Sequence, residues 1–394
     1  MTPQLGPTSG DVDWRDGRIT DEAIDHMRSL IGEETPLRAW NSSANHDAIW
    51  HFALGVGDDN PLWWDERYAE RTPWSRAFAP PTFLYSAMSG PRIPGDTAVG
   101  GVEEILPGVF AVWAGDQWSW ARPVWRDEWV QAHTSLYSVE EKTSRFGGRT
   151  VLQTDRMRFV GESGEEVATL YRRRMRMERT ASRSSDRYAD YQHPRYSEAD
   201  LQRIAEQYES ESARRRGEVV REWGSVAQGD SLGTLVKGPL TITNIVGWVL
   251  GWGSSLCQTN RIAHEYLRDH PGGRLTNDET GISDTLEGAH WDPYFARMSG
   301  MPDGYDFGGQ RISWLAHLIG DWMGDAGFLG ALDVRLVRPN FLGDTSWLSG
   351  RVTGVRDAGT EHLPNHKAVD CELAIENQNG ETTTTGTATV YLPA

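Results

Sequence analysis

One short motif occurs twice in this chain, and its two copies carry different chemistry. Gly57-Asp58-Asp59-Asn60-Pro61-Leu62-Trp63-Trp64-Asp65-Glu66-Arg67-Tyr68-Ala69 aligns with Leu286-Glu287-Gly288-Ala289-His290-Trp291-Asp292-Pro293-Tyr294-Phe295-Ala296 on the shared pattern Trp-Asp-x-x-(Tyr/Phe)-Ala. Trp63 then stands opposite His290, 227 residues apart. A second pair keeps the same order: Arg122-Pro123-Val124-Trp125-Arg126-Asp127-Glu128-Trp129 resembles Arg338-Pro339-Asn340-Phe341-Leu342-Gly343-Asp344-Thr345, and positions 122 and 338 are 216 apart. A period near 220 is far too long for a solenoid, whose units span roughly 20–50 residues. It predicts two related domains in tandem, one offering a proton-transfer residue and the other a bulky indole at the same place.

With 394 residues the chain is long enough for two domains with separate cores. Its 38% hydrophobic and 24% charged residues predict a folded chain rather than a disordered one. The 18 Trp are read mainly as core, since an indole buries a large area, with a minority lining an apolar tunnel. A net charge of −17 argues against a nucleic-acid partner, because phosphate neutralisation needs a basic surface. Cys257 and Cys371 have no metal-ligand spacing and make no disulfide framework, so a reducing cytoplasm is the expected compartment. Met1 to Asp13 lacks a basic stretch followed by an apolar one, so no signal peptide is expected. The apolar run at 245–250 is too short to span a bilayer, and no membrane partner is expected.

Periodicity places an arm at 1–18, a first domain at 19–178, a polar linker at 179–217 with a helix near 198–216, and a second domain at 218–394. Helical spacing marks 19–31 and 46–55, and a further helical pattern begins at Pro81. Strand-like runs follow at 109–121, 129–139, 149–160 and 166–177, separated by Gly-rich turns. The second half repeats the plan: a helix at 241–251, an insertion near 255–280, the His290 motif, a helix at 311–323, and strands at 331–338, 345–356, 366–378 and 382–392. Helix followed by an antiparallel meander is an α+β pattern. The run Arg172-Arg173-Arg174 with Arg176 suggests a phosphate grip, but alternation in a strand favours a solvated edge.

These motifs resemble the MaoC-like family of R-specific enoyl-CoA hydratases and 3-hydroxyacyl dehydratases. The family motif reads Gly-Asp-x-Asn-Pro-Leu-His-x-Asp-x-x-(Phe/Tyr)-Ala, and 57–69 matches it apart from Trp63 in the His place. Ala79-Pro80-Pro81-Thr82-Phe83-Leu84 is similar to the first domain of two-domain members. Lys237-Gly238-Pro239-Leu240-Thr241, the His290 motif, Arg338-Pro339 and Gly343-Asp344-Thr345 are similar to the second. The resemblance implies a tandem (double) hot-dog, with antiparallel sheets each wrapping a central helix. It also implies reversible addition of water across a trans-2-enoyl thioester, without metal or cofactor. In the family an Asp and a His five residues later hold and deprotonate the water, while a backbone N–H polarises the carbonyl.

Carried onto this chain, that pair is split. Asp58 stands where the family has Asp, five residues before Trp63; His290 stands where it has His, five after Thr285. Phe307-Gly308 and Pro80-Pro81 replace the His-Gly that opens the family's central helix. His290 is therefore the expected acid–base residue, with Asp284 or Glu287 as its carboxylate, or Asp278 or Glu279 from the insertion. Gly308, Gly309, Arg311, Asp58 and Trp63 are the expected substrate contacts, although Asp58 also reads as a turn cap and Arg311 reads equally as a surface residue. Asp292 reads as structural, and His264 and His270 lack helical metal-pair spacing. The expected partner is an acyl-CoA or acyl-carrier thioester, on a homodimer. A non-catalytic acyl-CoA-binding protein and a hot-dog thioesterase are the alternatives.

Overall fold

The computed structural model describes residues 17–90, 106, 109–144, 148–178 and 188–394. All but the last two positions of the expected arm lie outside the described residues.

The duplication is written into the sheet. The first half supplies β1 (Glu34–Pro36), β2 (Phe110–Trp120), β3 (Val130–Ser144), β4 (Gly148–Gly161) and β5 (Glu166–Met177). The second supplies β6 (Ser231–Lys237), β9 (Phe328–Leu336), β10 (Ser346–Arg356), β11 (His366–Glu376) and β12 (Thr382–Pro393), after a small separate hairpin of β7 (Arg274–Thr276) and β8 (Ser283–Thr285). Ten strands join in the order β1-β3-β4-β5-β2-β9-β12-β11-β10-β6. That order reads the same from either edge once β1 is matched to β6, β3 to β10, β4 to β11, β5 to β12 and β2 to β9. The halves meet where β2 pairs antiparallel with β9, Gly115 opposite Arg335 through Ser119 opposite Ala331. Period-2 burial is clear along β2, where Trp118 and Trp120 turn inward and Gln117 and Ser119 outward. The two indoles stack at 5.2 Å.

Among the helices are α1 (Asp21–Ser29), α2 (His46–Val56), α3 (Glu66–Ala69), α4 (Glu198–Arg214), α5 (Ile242–Trp252), α6 (Asn260–Asp269), α7 (Pro293–Met298) and α8 (Gly308–Met323). Asn45 caps α2 by accepting from Ala48 N, and Gly57 ends it in the left-handed conformation. Thr241 and Asn244 form a capping box on α5. These helices start 196 residues apart, at 46 and 242, and cross each other reciprocally. A Cβ on Gly55 would lie 2.8 Å from Gly247 O, and one on Gly251, its partner at the same offset, 2.4 Å from His51 O. Only glycine permits this approach on both sides, which places a pseudo-two-fold axis between the helices.

The halves differ most in their central helices. In the second, α8 is almost wholly buried and begins three residues before the expected 311. In the first, the equivalent segment is a 3-10 helix, Pro81–Met88, also buried. Two prolines at its start remove backbone donors, and Gly90 follows one residue past its cap.

Two expectations are corrected by the sheet. Arg172, Arg173 and Arg174 do not lie on a solvated edge, because β5 sits between β4 and β2. Their charges are matched internally: Arg173 pairs with Asp333, Arg174 with Asp155 at 2.7 Å, and Arg172 lies 3.9 Å over the Trp113 ring. Arg311 is not a surface residue either; it is 2% exposed within α8. Among the described residues, no helix is long and apolar enough to cross a membrane.

Candidate active site

In both halves the repeated motif folds into a 3-10 turn followed by a short helix: Pro61–Trp63 before α3, and Leu286–His290 before α7. The shared Asp explains the local fold. Asp65 caps α3 by accepting from Tyr68 N at 3.2 Å, and Asp292 caps α7 by accepting from Tyr294 N at 2.8 Å. Trp63 and His290 therefore close equivalent turns, and what surrounds them differs.

His290 lines a cavity of about 300 Å³. Trp113 of β2 and Met175 and Met177 of β5 bring one wall from the first half; Met301, Phe307 and Leu336 bring the other from the second. The imidazole stacks on Phe307 with ring centroids 3.7 Å apart. Its Nδ1 lies 2.8 Å from Tyr305 O. A carbonyl only accepts, so Nδ1 carries the hydrogen and Nε2 keeps its lone pair. Burial pushes the pKa down to about 4, with the Tyr305 carbonyl opposing more weakly, so the ring is neutral at physiological pH.

The cavity ends at the start of α8, where Gly308 is part of the wall and no side chain caps the helix. The first N–H groups of such a helix carry its positive dipole end. A Cβ on Gly308 would meet Trp113 Cγ at 2.7 Å, and one on Gly309 would approach the same indole at 3.1 Å. The two glycines thus let Trp113 pack against the helix start. Arg311 also lines the cavity, yet its guanidinium is committed: Nε donates to Asp306 Oδ2 at 2.7 Å, Nη2 donates to Asp306 Oδ1, and Nη1 donates to the Arg338 and Thr383 carbonyls and to Thr384 Oγ1. Asp306 also accepts from Asn340 N and Nδ2. This network fixes the loop that presents the Tyr305 carbonyl and the Phe307 ring to His290.

Asp284 and Glu287 do not line the cavity. Asp284 Oδ1 accepts from Thr285 N at 2.7 Å. Glu287 is buried and accepts from Ser254 Oγ at 2.7 Å; burial pushes its pKa up to about 7. Asp278 and Glu279 are exposed on the β7–β8 turn.

Asp58 and Trp63 are brought together, but with each other and not with His290. Trp63 Nε1 donates to Asp58 Oδ2 at 2.9 Å, and Asn60 N donates to Asp58 Oδ1 at 3.0 Å. The indole is 3% exposed, and the cavity left beside it is only about 10 Å³. Around Asp58 stand Lys237, whose Nζ donates to Gly57 O at 2.9 Å; Arg215, whose Nε donates to Asp321 Oδ1 at 3.2 Å; Glu211; and His317 of α8. Burial raises the pKa of Asp58 and of Glu211 and takes Asp321 up to about 7, while it lowers that of Lys237. Burial, reinforced by Lys237 and Arg215, lowers His317 well below the usual range.

Sequence reading weighed His317 only against Arg311, six residues away on the same helix and so on another face, and gave Glu211 and Arg215 no role. The i,i+4 spacing of His317 and Asp321 was a usable signal. Glu211 and Arg215 lay in what read as a linker, and α4 proves to pack them against the first motif. Among the described residues, no group of three or more His, Cys, Asp or Glu side chains is placed to hold a metal ion.

Comparison with known proteins agrees with this architecture. Residues 29–170 match the family described as FAS1-like, dehydratase domain region. A solved MaoC-like dehydratase is similar over 93% of this chain and 99% of its own, with a TM-score of 0.62 and 18% identity. A putative MaoC domain protein dehydratase from Chloroflexus aurantiacus J-10-fl gives 0.52 at 12% identity, over 92% and 95% of the two chains. A conserved hypothetical protein from Mycobacterium tuberculosis with a double hot-dog fold gives 0.53 at 12% identity, over 93% and 98%. No curated protein matches the sequence. With five strands per half joined through β2 and β9 and the motif turn repeated in each, the chain has a double hot-dog fold similar to that of solved MaoC-like dehydratases.

Proposed function

We propose that the second-half cavity is a hydro-lyase site that reversibly hydrates a trans-2-enoyl thioester, carried by CoA, to the 3-hydroxyacyl thioester. The observation that carries this reading is a neutral imidazole whose Nδ1 is held by Tyr305 O, leaving Nε2 without a partner among the described residues, in an apolar cavity that ends at an uncapped helix start. Water adds at C3 while His290 Nε2 takes its proton, and the proton is returned at C2. Negative charge that develops on the thioester oxygen is met by the first N–H groups of α8, Gly308 foremost. Neither expected carboxylate enters the cavity: Asp284 accepts from its neighbour Thr285 N, and Glu287, whose pKa burial pushes up to about 7, is held by Ser254. Arg311 acts by holding the Tyr305–Phe307 loop. The first half contributes Trp113, Met175 and Met177 to the acyl wall rather than a catalytic pair. A cytoplasmic homodimer that uses no metal or cofactor completes the reading.

The test follows enoyl-thioester absorbance with wild type beside His290→Ala, across short, long and ring-bearing enoyl-CoAs. Turnover that collapses in the variant supports the site; turnover that survives removes it. A second reading, acyl-CoA binding without turnover, is favoured by Thr285 in the Asp position and by the engagement of Glu287 with Ser254. Acyl-CoA binding with no change in any enoyl substrate identifies that case, and free thiol release identifies a thioesterase.

A further inference from the structure

The first half holds acid and base side chains that the proposed reaction does not use. Position 63 carries an indole where the second half has an imidazole, yet an imidazole reaches the same place from another element. His317 stands midway along α8, and its side chain is 1% exposed. Its Nε2 lies 3.7 Å from Asp58 Oδ1, 3.7 Å from Glu211 Oε1 and 3.5 Å from Asp321 Oδ2. Neither ring nitrogen makes a hydrogen bond to a protein atom among the described residues.

That arrangement is costly if nothing else binds the ring, since an unsatisfied buried polar group costs about 1–3 kcal/mol. These separations are too long for direct hydrogen bonds, and a water seated beside the gap can reach both sides. The cavity of about 10 Å³ at this point is lined by Asp58, Trp63, Thr82, Ser313 and His317 among others. A space of that size holds about one water, and the polar groups on its wall match the two to four partners a buried water needs.

The charges that face the ring fix its state. Asp58 and Asp59 come from the motif loop, Glu211 and Arg215 from α4 and its end, Lys237 from β6, and Asp321 from α8 itself. Burial, Lys237 and Arg215 disfavour imidazolium. A neutral ring has one donor and one acceptor nitrogen, so it can bond a water that donates to Asp58.

We propose that Asp58 of the first half and His317 of the second hold one water between them, a water-binding acid–base site built across both halves and closed by Trp63. It stands independently of turnover at His290. A high-resolution crystal structure of the full chain should show an ordered water within hydrogen-bond distance of both His317 Nε2 and Asp58 Oδ1. An empty cavity, or a direct bond between His317 and a carboxylate, overturns it. In His317→Phe the water should be lost; a water that stays on Asp58 alone removes the shared site. In solution, the side-chain ¹⁵N signals of His317 should report one protonated and one bare nitrogen, and Asp58→Asn should shift them. Unchanged signals in that variant count against the bridge. Should Asp58→Asn fail to fold, His317→Gln decides, because its amide still bonds a water: a retained water supports the proposal and its absence overturns it.

Discussion

The two motif turns share a backbone and a capping aspartate but enclose opposite environments. In the second half, His290 faces a cavity of about 300 Å³ walled by Met and aromatic side chains. In the first, Trp63 fills the equivalent space, leaving about 10 Å³, and a cluster of charged side chains closes around Asp58. Five residues apart at the two turns stand Asp58 and Trp63 in the first half and Thr285 and His290 in the second. An imidazole in an apolar cavity needs one fixed hydrogen bond, whereas a buried carboxylate needs several donors. Asp58 accordingly accepts from Asn60 and Trp63, and the cluster around it draws on three further elements.

The contrast is broken most directly at His290. His290→Ala should lower kcat/KM for an enoyl thioester by roughly 10²–10⁴-fold, the usual contribution of a positioned acid–base group. Because burial holds this pKa at about 4, the base stays in its active form down to that pH, and the acid limb of kcat/KM should fall only below it. A limb near 6.5 would show that the imidazole is more solvated than its place in the cavity implies.

Beneath that cavity lies the buried Arg311–Asp306 pair. Arg311→Met strands Asp306 and should cost roughly 3–5 kcal/mol in denaturant unfolding. Asp59→Asn, which removes only the largely exposed partner of Arg215, should cost distinctly less.

Glu287 allows a pH test. Its folded pKa of about 7 lies above the ordinary 4.5, so below pH 4.5 both folded and unfolded chains hold the proton. Between 4.5 and 7 the unfolded chain releases it while the folded chain keeps it, and stability falls by up to roughly 3 kcal/mol. Glu287→Gln mimics the protonated acid. Thermal unfolding should show no gain at pH 4.5 and the full gain above pH 7; a gain equal at both pH values refutes the assignment.

The smallest effect belongs to the closed half. Trp63→Phe keeps an aromatic plug but removes one donor from Asp58, and should destabilise the fold by about 1–3 kcal/mol. Turnover at His290 should be unaffected, measured in the same absorbance assay.

Much of the fold was legible because it depends on local chemistry. The Asp-x-Asn-Pro turn, the strand-like run of β2 and the helical spacing of α2 and α5 act over a few residues, so their positions could be read directly. Strand placement is different. Arg172 to Arg174 read as an edge because nothing local says that β5 lies between two other strands; Asp333 and Asp155, which match two of the charges, come from distant positions. Arg311 was misjudged for the same reason, since its partners at 306, 338, 383 and 384 meet only when β9 and β12 pair.

The amino-acid sequence by itself determined the tandem repeat, the α+β class, the motif turns and the exchange of His for Trp at position 63, because these follow from periodicity, turn geometry and side-chain identity. Only the tertiary structure decided which groups share a site. The crossing of α2 and α5 and the joining of β2 to β9 carry Trp113 to the cavity of His290 and His317 to the side of Asp58. Burial then fixes the protonation of these groups, since a charge is costly to bury without nearby partners.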